Sequence, residues 1–422
     1  MKKIKILLLV ILIFFVSGLI IFINRKNKND NIVKSTYSYI LGDVNGDGNI
    51  GINDVSRLYR YIKGVITLTD FEKSAGDVVQ DGEIKINDVS RLYRYTKGIG
   101  SLTTLVSPTI YTSDKITSGK THDVGFLLKI KSGNNKVYYC EDDNNTCNPS
   151  SEYTSQLRYA SSTTKYLRYK ACDSSNNCSN IGSYKVVLSI TNKNPSVSSS
   201  GGMANPHQAA YYSQTSDSRW SSYSIPISPY SSVASRGCGY TATAMLITAL
   251  THDYSVTPKT VISLLSSSGE KYYYTTSEAS NCGGCMYYYG AYNKSLTSKY
   301  NYSRSLLWSI YSWNNHPEYS KTDRQNALTE SLQMGHVILL LIPNHYVALV
   351  GIDSSNQIYA FNPDSVSDSG YTTWKASAGT IYDHYYDYRK RCTNSNNCGL
   401  QVVQELYVTG GYSLDEWRAL GK

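Results

Sequence analysis

The chain has 422 residues, a formal net charge of +9, and 40 tyrosines against 6 phenylalanines. This length accommodates two to four domains, and the wealth of tyrosine, serine, asparagine and threonine is typical of β-rich extracellular proteins. Part of the positive charge flanks an N-terminal apolar segment, and the sequence has no basic stripe with interleaved aromatic residues. These features argue against a nucleic-acid-binding protein.

Residues 1–24 contain a short basic stretch and then an uncharged apolar run from Ile6 to Ile23. As a helix, this run would rise about 27 Å, close to the ~30 Å hydrocarbon thickness of a bilayer. A secretory signal would end in a small-residue cleavage site, and no A-x-A pattern follows the run. We therefore predict a single-pass membrane anchor with the rest of the chain outside the cell. The alternative is a cleaved signal and a secreted protein.

Eight of the nine cysteines form four close pairs, at separations of seven, six, three and six residues. The pairs are Cys140 and Cys147, Cys172 and Cys178, Cys282 and Cys285, and Cys392 and Cys398. Most of them bracket polar loops, and no clustered histidines accompany them, so we predict disulfides of an oxidising compartment rather than zinc ligands. Cys238 is left without a partner.

A repeat with a period of 34 residues begins at Gly42, where GDVNGDGNIGINDVSRLYRYIKG is matched by GDVVQDGEIKINDVSRLYRYTKG from Gly76. Each copy opens with oxygen-bearing side chains on alternate residues, a glycine at the sixth position and a carboxylate at the twelfth. This pattern is typical of a short loop that wraps a calcium ion, and an amphipathic helix follows each loop. The predicted ligands of the first loop are Asp43, Asn45, Asp47, the carbonyl of Asn49, and Asp54. Those of the second loop are Asp77, Asp81, the carbonyl of Glu83, and Asp88.

Residues 41–100 resemble a type I dockerin, a module whose duplicated calcium loop and helix bind a cohesin on a scaffold protein. The resemblance implies calcium as the cofactor and a cohesin-bearing scaffold as the partner. One position departs from the pattern, because Val79 occupies the third ligand position of the second loop and cannot coordinate a cation. Lys85 stands at the ninth position of the same loop. We therefore expect the second calcium site to be the weaker one.

Residues 106–192 contain short alternating stretches such as VGFLLKIKS and YKVVLSIT, separated by Gly, Asn and Ser turns. This pattern predicts a β-sandwich of immunoglobulin-like type. The stretch carries no recognisable catalytic chemistry, so we interpret it as a spacer or stalk, with carbohydrate or protein binding as the alternative. Residues 193–210, which include NKNPSVSSSGG, are predicted to be a flexible linker.

Residues 211–422 mix helical periodicity with strand-like runs, which indicates an α+β domain. Cys238 lies in RGCGY, directly before the helix-like run TATAMLITAL. A thiol at a helix N-terminus faces unpaired backbone N–H groups and the positive end of the helix dipole, which favour the thiolate. The flanking glycines would let backbone and substrate approach closely. Cys238 is thus a candidate nucleophile, although free cysteines also occur as buried apolar residues.

A cysteine nucleophile requires an imidazole within reach and a third group that orients the ring. His345 begins the strand HYVALVGI after a Pro-Asn turn, whereas His336 lies at the opposite end of that predicted hairpin and suits a structural role. The next strand, QIYAFNP, ends at Asn362. In an antiparallel pair this end lies beside His345, so the predicted order is Cys238, His345 and Asn362, as in papain-like enzymes.

The GCG before a small-residue helix, the HYVALVGID strand and the FNPDS segment resemble the C39-like cysteine peptidases, which process leader peptides of the double-glycine type. The resemblance covers roughly residues 211–408. The stretch QTSDSRW is similar to the opening of that family and makes Gln214 a candidate oxyanion donor. The family usually has Asp where this chain has Asn362, and Asp364 follows Pro363 here. Either residue is a candidate to orient His345, and the alignment to the proline favours Asn362.

Together these predictions describe a multidomain protein with one N-terminal transmembrane helix, a small α-helical calcium-binding dockerin, an immunoglobulin-like β-sandwich and a papain-like α+β domain. The predicted function is that of a membrane-anchored extracellular cysteine peptidase acting on peptide or protein substrates and attached through its dockerin to a scaffold. Two alternatives are a non-catalytic surface binding protein and a papain-like amidase acting on peptidoglycan. A peptidase fused to a transporter is not expected, since the sequence lacks a GxxxxGK[ST] phosphate loop.

Overall fold

A computed structural model describes residues 40–79, 83–100, 102, 107–174, 178–190, 203–226, 232–275, 285–287, 290–309, 319–364, 372–387 and 402–420. The predicted membrane anchor, residues 1–24, lies outside these ranges. Among the described residues, no helix has the length and apolar character needed to cross a membrane. The chain divides into two compact units, Met1–Thr104 and Leu105–Lys422.

The first unit contains three described helices, α1 (Ile52–Ile62), α2 (Asp70–Gly76) and α3 (Ile86–Thr96). Helices α1 and α3 directly follow the two predicted calcium loops and pack against each other. Their amphipathic character is confirmed, because Leu58 of α1 and Leu92 of α3 are fully buried in the same core. Helix α2 was not predicted; its N-terminus is capped by Thr69, whose hydroxyl accepts a hydrogen bond from the backbone N–H of Glu72.

Eight short strands make up the first part of the second unit. They are β1 (Thr109–Thr112), β2 (Thr121–His122), β3 (Phe126–Lys131), β4 (Lys136–Asp142), β5 (Ser151–Glu152), β6 (Leu157–Tyr159), β7 (Thr163–Cys172) and β8 (Gly182–Leu188). They form one sheet in the order β1-β3-β6 and another in the order β2-β8-β7-β4-β5. Phe126, Leu128 and Ile130 of β3 alternate into a core shared with Leu167 and Val186 of the other sheet. The region is thus a two-sheet sandwich, and its immunoglobulin-like type stays a prediction.

Two predicted disulfides are present in this sandwich. Cys140 bonds to Cys147 and Cys172 bonds to Cys178, each closing a short loop. Cys285 is also disulfide-bonded. Cys282, Cys392 and Cys398 lie outside the described residues, whereas Cys238 is a free and buried thiol.

The remainder of the second unit is built from helices on both faces of a single sheet. Its helices are α4 (Val233–Arg236), α5 (Cys238–Thr251), α6 (Pro258–Ser267), α7 (Lys294–Tyr300), α8 (Lys321–Gln333), α9 (Ala378–Asp387) and α10 (Leu414–Ala419), and a 3₁₀ turn spans Gly290–Tyr292. Its strands are β9 (Tyr302–Ser309), β10 (Val337–Ile342), β11 (His345–Ile352), β12 (Ile358–Phe361), β13 (Thr373–Ala376) and β14 (Val402–Val408). All are antiparallel, in the order β13-β12-β11-β10-β14-β9.

The sheet separates two apolar layers because successive side chains of a strand point to opposite faces. Leu339 of β10 packs in the layer that contains helix α5, whereas Leu340 packs with helices α8, α9 and α10 on the other face. Helix α5 is apolar all round and nearly completely buried, which explains why its sequence lacks an amphipathic pattern.

The β-sandwich packs directly onto the α+β region, on the sheet face opposite helix α5. Leu127 of β3 joins the apolar layer that holds Trp417 of α10. The indole Nε1 of Trp417 donates a hydrogen bond to Gln156 Oε1 at 2.9 Å, and Ser113 Oγ donates to the carbonyl of Met334 at 3.0 Å. The sandwich and the α+β region thus share one compact unit, and the interpretation of the sandwich as a spacer or stalk stays a prediction.

The predicted linker at residues 193–210 also ends earlier than expected. Of this range the structure describes residues 203–210, where His207, Ala209 and Ala210 are buried against the α5 layer. The backbone N–H of Ala210 donates to the hydroxyl of Thr248 in α5 at 3.0 Å. This segment belongs to the core of the α+β region because its small apolar residues pack directly on the helix.

Candidate active site and calcium loops

Cys238 is the first residue of helix α5 and its side chain is only 4% exposed. Gly237 precedes it and ends the short helix α4, so the chain turns from one helix into the next at the thiol. The thiol therefore lies at the N-terminus of the 14-residue helix α5, where the first backbone N–H groups have no acceptor within the helix. The predicted helix start at Cys238 is thus confirmed.

His345 and Asn362 meet at one end of the sheet. A two-residue turn, Pro343 and Asn344, joins β10 to β11, and the positive φ of 58° at Asn344 suits asparagine. His345 therefore starts β11, while Asn362 directly follows β12, its antiparallel neighbour. The ring Nε2 of His345 lies 2.7 Å from Oδ1 of Asn362.

The thiol of Cys238 acts on the same imidazole as a hydrogen-bonding group and as a charge, and both effects raise the pKa of His345. Because Asn362 occupies Nε2, Nδ1 is the ring nitrogen available to the sulfur. The structure thus brings Cys238, His345 and Asn362 together, in the order that the sequence predicts. All three side chains are buried, with exposed fractions of 4%, 5% and 0%.

Burial is the largest influence on the pKa of His345 and acts to lower it. The hydrogen bond and charge of Cys238, the hydrogen bond of Asn362 and the charge of Asp364 act in the opposite direction and outweigh it. The pKa of His345 is therefore raised, because the protonated ring has a hydrogen-bond acceptor on one side and the sulfur on the other.

Asp364, the alternative orienting residue, reaches this site through its backbone. Its N–H donates to Oδ1 of Asn362 at 3.0 Å, while its carboxylate acts on His345 through charge. The oxygen of Asn362 thus accepts from both Asp364 and His345, which fixes the orientation of the amide: its oxygen faces the imidazole.

Gln214 is buried next to the same residues. Its backbone N–H donates to the carbonyl of Pro363 at 2.8 Å, and its Nε2 donates to the carbonyl of Ala234 in α4 at 3.1 Å. Its Oε1 atom is buried and has no hydrogen-bond partner among the described residues. The side-chain amide has a second N–H beyond the one that Ala234 accepts.

The two glycines that flank Cys238 allow neighbouring atoms of Val233 and Met286 to pack closely against the backbone. A Cβ on Gly237 would lie 2.3 Å from the carbonyl oxygen of Val233, and a Cβ on Gly239 would lie 2.6 Å from Cβ of Met286. These glycines therefore allow close packing around the thiol, in addition to any role in substrate approach. The contact with Met286 was not predicted, because the sequence offers no pattern that joins residues so far apart.

Tyr211 also contributes to this site, although no motif in the sequence indicates it. Its hydroxyl donates to the backbone carbonyl of Asn362 at 3.1 Å, and its ring packs edge-on against Phe361. Burial raises the pKa of Tyr211 to about 12, so the hydroxyl stays protonated and remains a donor. Tyr211 thereby holds the backbone on which the Asn362 amide is carried.

Three of the other described histidines have structural environments. His336 forms a buried contact with Glu405, 2.8 Å from Nδ1 to Oε2, and Ser331 donates to the same carboxylate oxygen. Burial lowers the pKa of His207 to about 3, so its ring is neutral. His122 lies against Asp114 within the sandwich, and His316 lies outside the described residues. The structural role predicted for His336 agrees with this pairing.

The first predicted calcium loop is fully described. The carboxylate of Asp43 accepts hydrogen bonds from the N–H groups of Gly46, Asp47 and Gly48, and the buried carboxylate of Asp54 accepts from Val44, Asn45 and Gly51. Both carboxylates therefore organise the turn between them. Gly48, at the sixth position, has a φ of 83°, as this sharp turn requires.

The oxygen donors of this loop suit calcium, which takes carboxylate, amide and backbone carbonyl oxygens. Asn45 and Asp47 lie side by side at its exposed tip, with Asn45 Nδ2 donating to Asp47 Oδ2 at 2.8 Å. In the described part of the chain, no three His, Cys, Asp or Glu side chains already converge as a metal site.

Residues 41–98 match the dockerin type I domain. Such domains bind calcium, and a dockerin implies a cohesin-bearing scaffold as its partner. A comparison of the whole chain with curated proteins gave no match. The dockerin match covers the region of the 34-residue repeat and does not extend into the second unit.

The second loop of the dockerin shares backbone-to-carboxylate hydrogen bonds with the first loop, but its set of predicted ligands differs. The carboxylate of Asp88 accepts from the N–H groups of Val79 and Lys85, as Asp54 does in the first loop. The side chain of Lys85 forms an ion pair with Glu83. Asp81, a predicted ligand, lies outside the described residues, whereas Asp77 ends helix α2 as its C-cap.

Proposed function

We propose that the second unit is a cysteine peptidase in which Cys238 is the nucleophile, His345 the general acid and base, and Asn362 the orienting residue. The observation that carries the proposal is the chain of contacts from the Cys238 thiol through the His345 ring to the Asn362 amide. A nucleophile at a helix start, paired with an imidazole that a third group orients, is the arrangement that activated thiols require.

In the proposed reaction, the thiolate of Cys238 attacks a peptide carbonyl carbon and forms a tetrahedral intermediate. The backbone N–H of Cys238, at the start of α5, and the second N–H of the Gln214 side chain would donate to the developing oxyanion. The protonated ring of His345 then gives its proton to the leaving amine. Water, activated by the neutral ring, releases the acyl group and restores the thiol.

Asn362 contributes by keeping Nδ1 of His345 directed towards the sulfur. Its oxygen accepts the Nε2 proton, which fixes the tautomer of the neutral ring and stabilises the protonated one. The hydrogen bonds from Asp364 N–H and the Tyr211 hydroxyl hold this residue in place from both sides. The site would thus be organised before substrate arrives.

We further propose that the dockerin attaches this peptidase to a scaffold outside the cell. Both copies of the repeat expose apolar residues at equivalent positions, Ile52 and Ile86, and Tyr59 and Tyr93. Exposed apolar residues at repeated positions are suited to a protein partner. The disulfides in the sandwich support export, and anchoring by residues 1–24 remains part of the proposal.

A peptide library incubated with the wild-type protein and with Cys238→Ala tests the catalytic proposal. We expect hydrolysis by the wild type and none by the variant, whose dockerin should still bind calcium. Equal results for both proteins would instead indicate a non-catalytic binding protein. Release of new amines from purified cell wall, without cleavage of any peptide, would indicate the amidase alternative.

A further inference from the structure

A cavity of about 600 Å³ lies between the β-sandwich and the α+β region, on the sheet face opposite helix α5. This size is within the usual range for sites that bind small ligands. The sandwich contributes the β3-β4 turn and the segment before β6, and the α+β region contributes one residue each from α8 and α10. Its lining includes Lys129, Ser132, Asn134, Asn135, Glu330 and Arg418.

The charged groups that line this cavity are Lys129, Lys136, Glu330 and Arg418, which leaves an excess of positive charge. Lys136 pairs with Glu152 outside the lining, 3.3 Å from Nζ to Oε1. Arg418 donates from Nε to Oε2 of Glu330 at 2.8 Å, so these two charges are paired. The ammonium of Lys129 donates to the carbonyl of Trp417 at 2.6 Å and lies over the indole ring, 4.5 Å from its centroid. Within the described residues, no carboxylate forms an ion pair with Lys129.

The environment of Lys129 makes this ammonium a ready partner for an anion. Burial is the main cause that lowers its pKa, and the charges of Lys131 and Arg418 act in the same direction, against the charge of Glu330. A half-buried cation without a paired carboxylate gains more from an incoming anion than a fully solvated one does.

Around this cation the walls are lined with amide and hydroxyl groups. Asn134 is exposed and Asn135 half-buried in the β3-β4 turn, and Thr154 and Ser155 face them from the segment before β6. The amide of Gln156 also lines the cavity but is already bonded to Trp417 and Glu330. The hydroxyl of Ser132 is buried and has no hydrogen-bond partner among the described residues. Groups that both donate and accept are suited to a ligand rich in hydroxyls.

We propose that this cavity binds a carboxylate-bearing saccharide, with the carboxylate at Lys129 and the sugar hydroxyls at Ser132 and at Asn134 or Asn135. A peptide with an acidic side chain would satisfy the cation but would leave the surrounding amides and hydroxyls with fewer partners. The density of such groups in one cavity therefore favours an acidic sugar.

This site is separate from the candidate active site. Its lining includes none of Cys238, His345, Asn362 and Gln214, and the six-stranded sheet lies between it and helix α5. Saccharide binding would thus place the catalytic region near a glycan without taking part in its chemistry. The inference does not depend on the proposed peptidase activity and is tested by binding alone.

Isothermal titration of the full-length protein provides the test, with three acidic probes: trigalacturonate, a hyaluronan tetrasaccharide, and the disaccharide of N-acetylglucosamine and N-acetylmuramic acid. We expect at least one to bind, and Lys129→Met to weaken that binding about tenfold, as loss of a charge-assisted contact does. Lys131→Met is the matched control, since Lys131 follows on the same strand and face but does not line the cavity. It should change the affinity less than about twofold.

Three outcomes would overturn the inference: no binding of any acidic probe, equal binding of neutral galactotriose, and equal binding of triglutamate. Equal effects of the two lysine variants would overturn it as well. If Lys129→Met does not fold, acetylation of the wild-type lysines followed by mass spectrometry replaces it. The bound acidic probe should then protect Lys129 and leave Lys131 reactive, and the absence of that difference would count against the site.

Discussion

Nε2 of His345 lies 2.7 Å from Oδ1 of Asn362, and this contact joins the first residue of one strand to the residue that follows its antiparallel neighbour. The amide oxygen is itself fixed by the N–H of Asp364 at 3.0 Å. The Nε2 side of the His345 ring is therefore fixed by Asn362, and Nδ1 is the nitrogen left for Cys238. If the catalytic proposal is right, changes at Asn362 should act on His345 without altering the fold.

Replacing Asn362 with alanine should lower kcat/KM for a cleaved peptide by about 10²-fold, because a correctly positioned acid and base contributes at least this much. Asn362→Asp should restore most of the activity, since a carboxylate oxygen can accept the same Nε2 proton. Thermal unfolding of both variants checks that the fold persists. Unchanged activity of Asn362→Ala, with unfolding unchanged, would indicate that His345 is oriented by another group.

The raised pKa of His345 should depend on Cys238, whose hydrogen bond and charge are its main raising causes. In Cys238→Ala, burial then prevails, and the pKa measured by an NMR titration of the ring should fall. A raised pKa stabilises the fold fully below about pH 6.5, the unfolded value, and this contribution is lost as pH rises through the folded pKa. The difference in free energy of unfolding between wild type and Cys238→Ala should therefore be largest below about pH 6.5 and decrease at higher pH. An unchanged titration of the His345 ring would contradict its contact with Cys238.

Gly239→Ala should destabilise the second unit by about 1–3 kcal/mol, as overpacking of a tight contact does. The added Cβ would lie 2.6 Å from Cβ of Met286 and 3.0 Å from the ring of Tyr346, which leaves it no space. Gly379→Ala is the matched control in helix α9, where the nearest atoms to the added Cβ are 3.8 Å away. Urea unfolding should separate the two variants; a similar loss in both would argue against close packing beside the thiol.

Calcium titrations of the dockerin should reveal one tighter and one weaker site, because Val79 replaces a ligand in the second loop. Asp43→Ala should remove the tighter site, and Val79→Asp should strengthen the weaker one by supplying the missing carboxylate. Calorimetry on the full-length protein measures both. Two equal tight sites in the wild type would contradict the assignment of Val79 as a defective position.

Much of this protein could be predicted from local sequence. The repeat with Gly48 and alternate oxygen ligands predicted the dockerin, because a calcium loop is encoded within twelve consecutive residues. The Pro343–Asn344 turn predicted a hairpin, and the hairpin placed His345 at the start of a strand. Short cysteine spacings likewise predicted the two sandwich disulfides, since only nearby residues need to meet.

Other features depended on tertiary structure because they join residues that are distant in the chain. No periodicity indicates that Met286 packs on Gly239, that Tyr211 supports Asn362, or that the sandwich covers the sheet through Leu127 and Trp417. Such contacts depend on which faces are buried together, which local propensity does not specify. Local patterns in the sequence were sufficient to predict the modules and the order of the candidate residues. The convergence of the thiol, the ring and the amide depends on tertiary structure, since it requires helix α5 to pack against strand β11, with which β12 is paired.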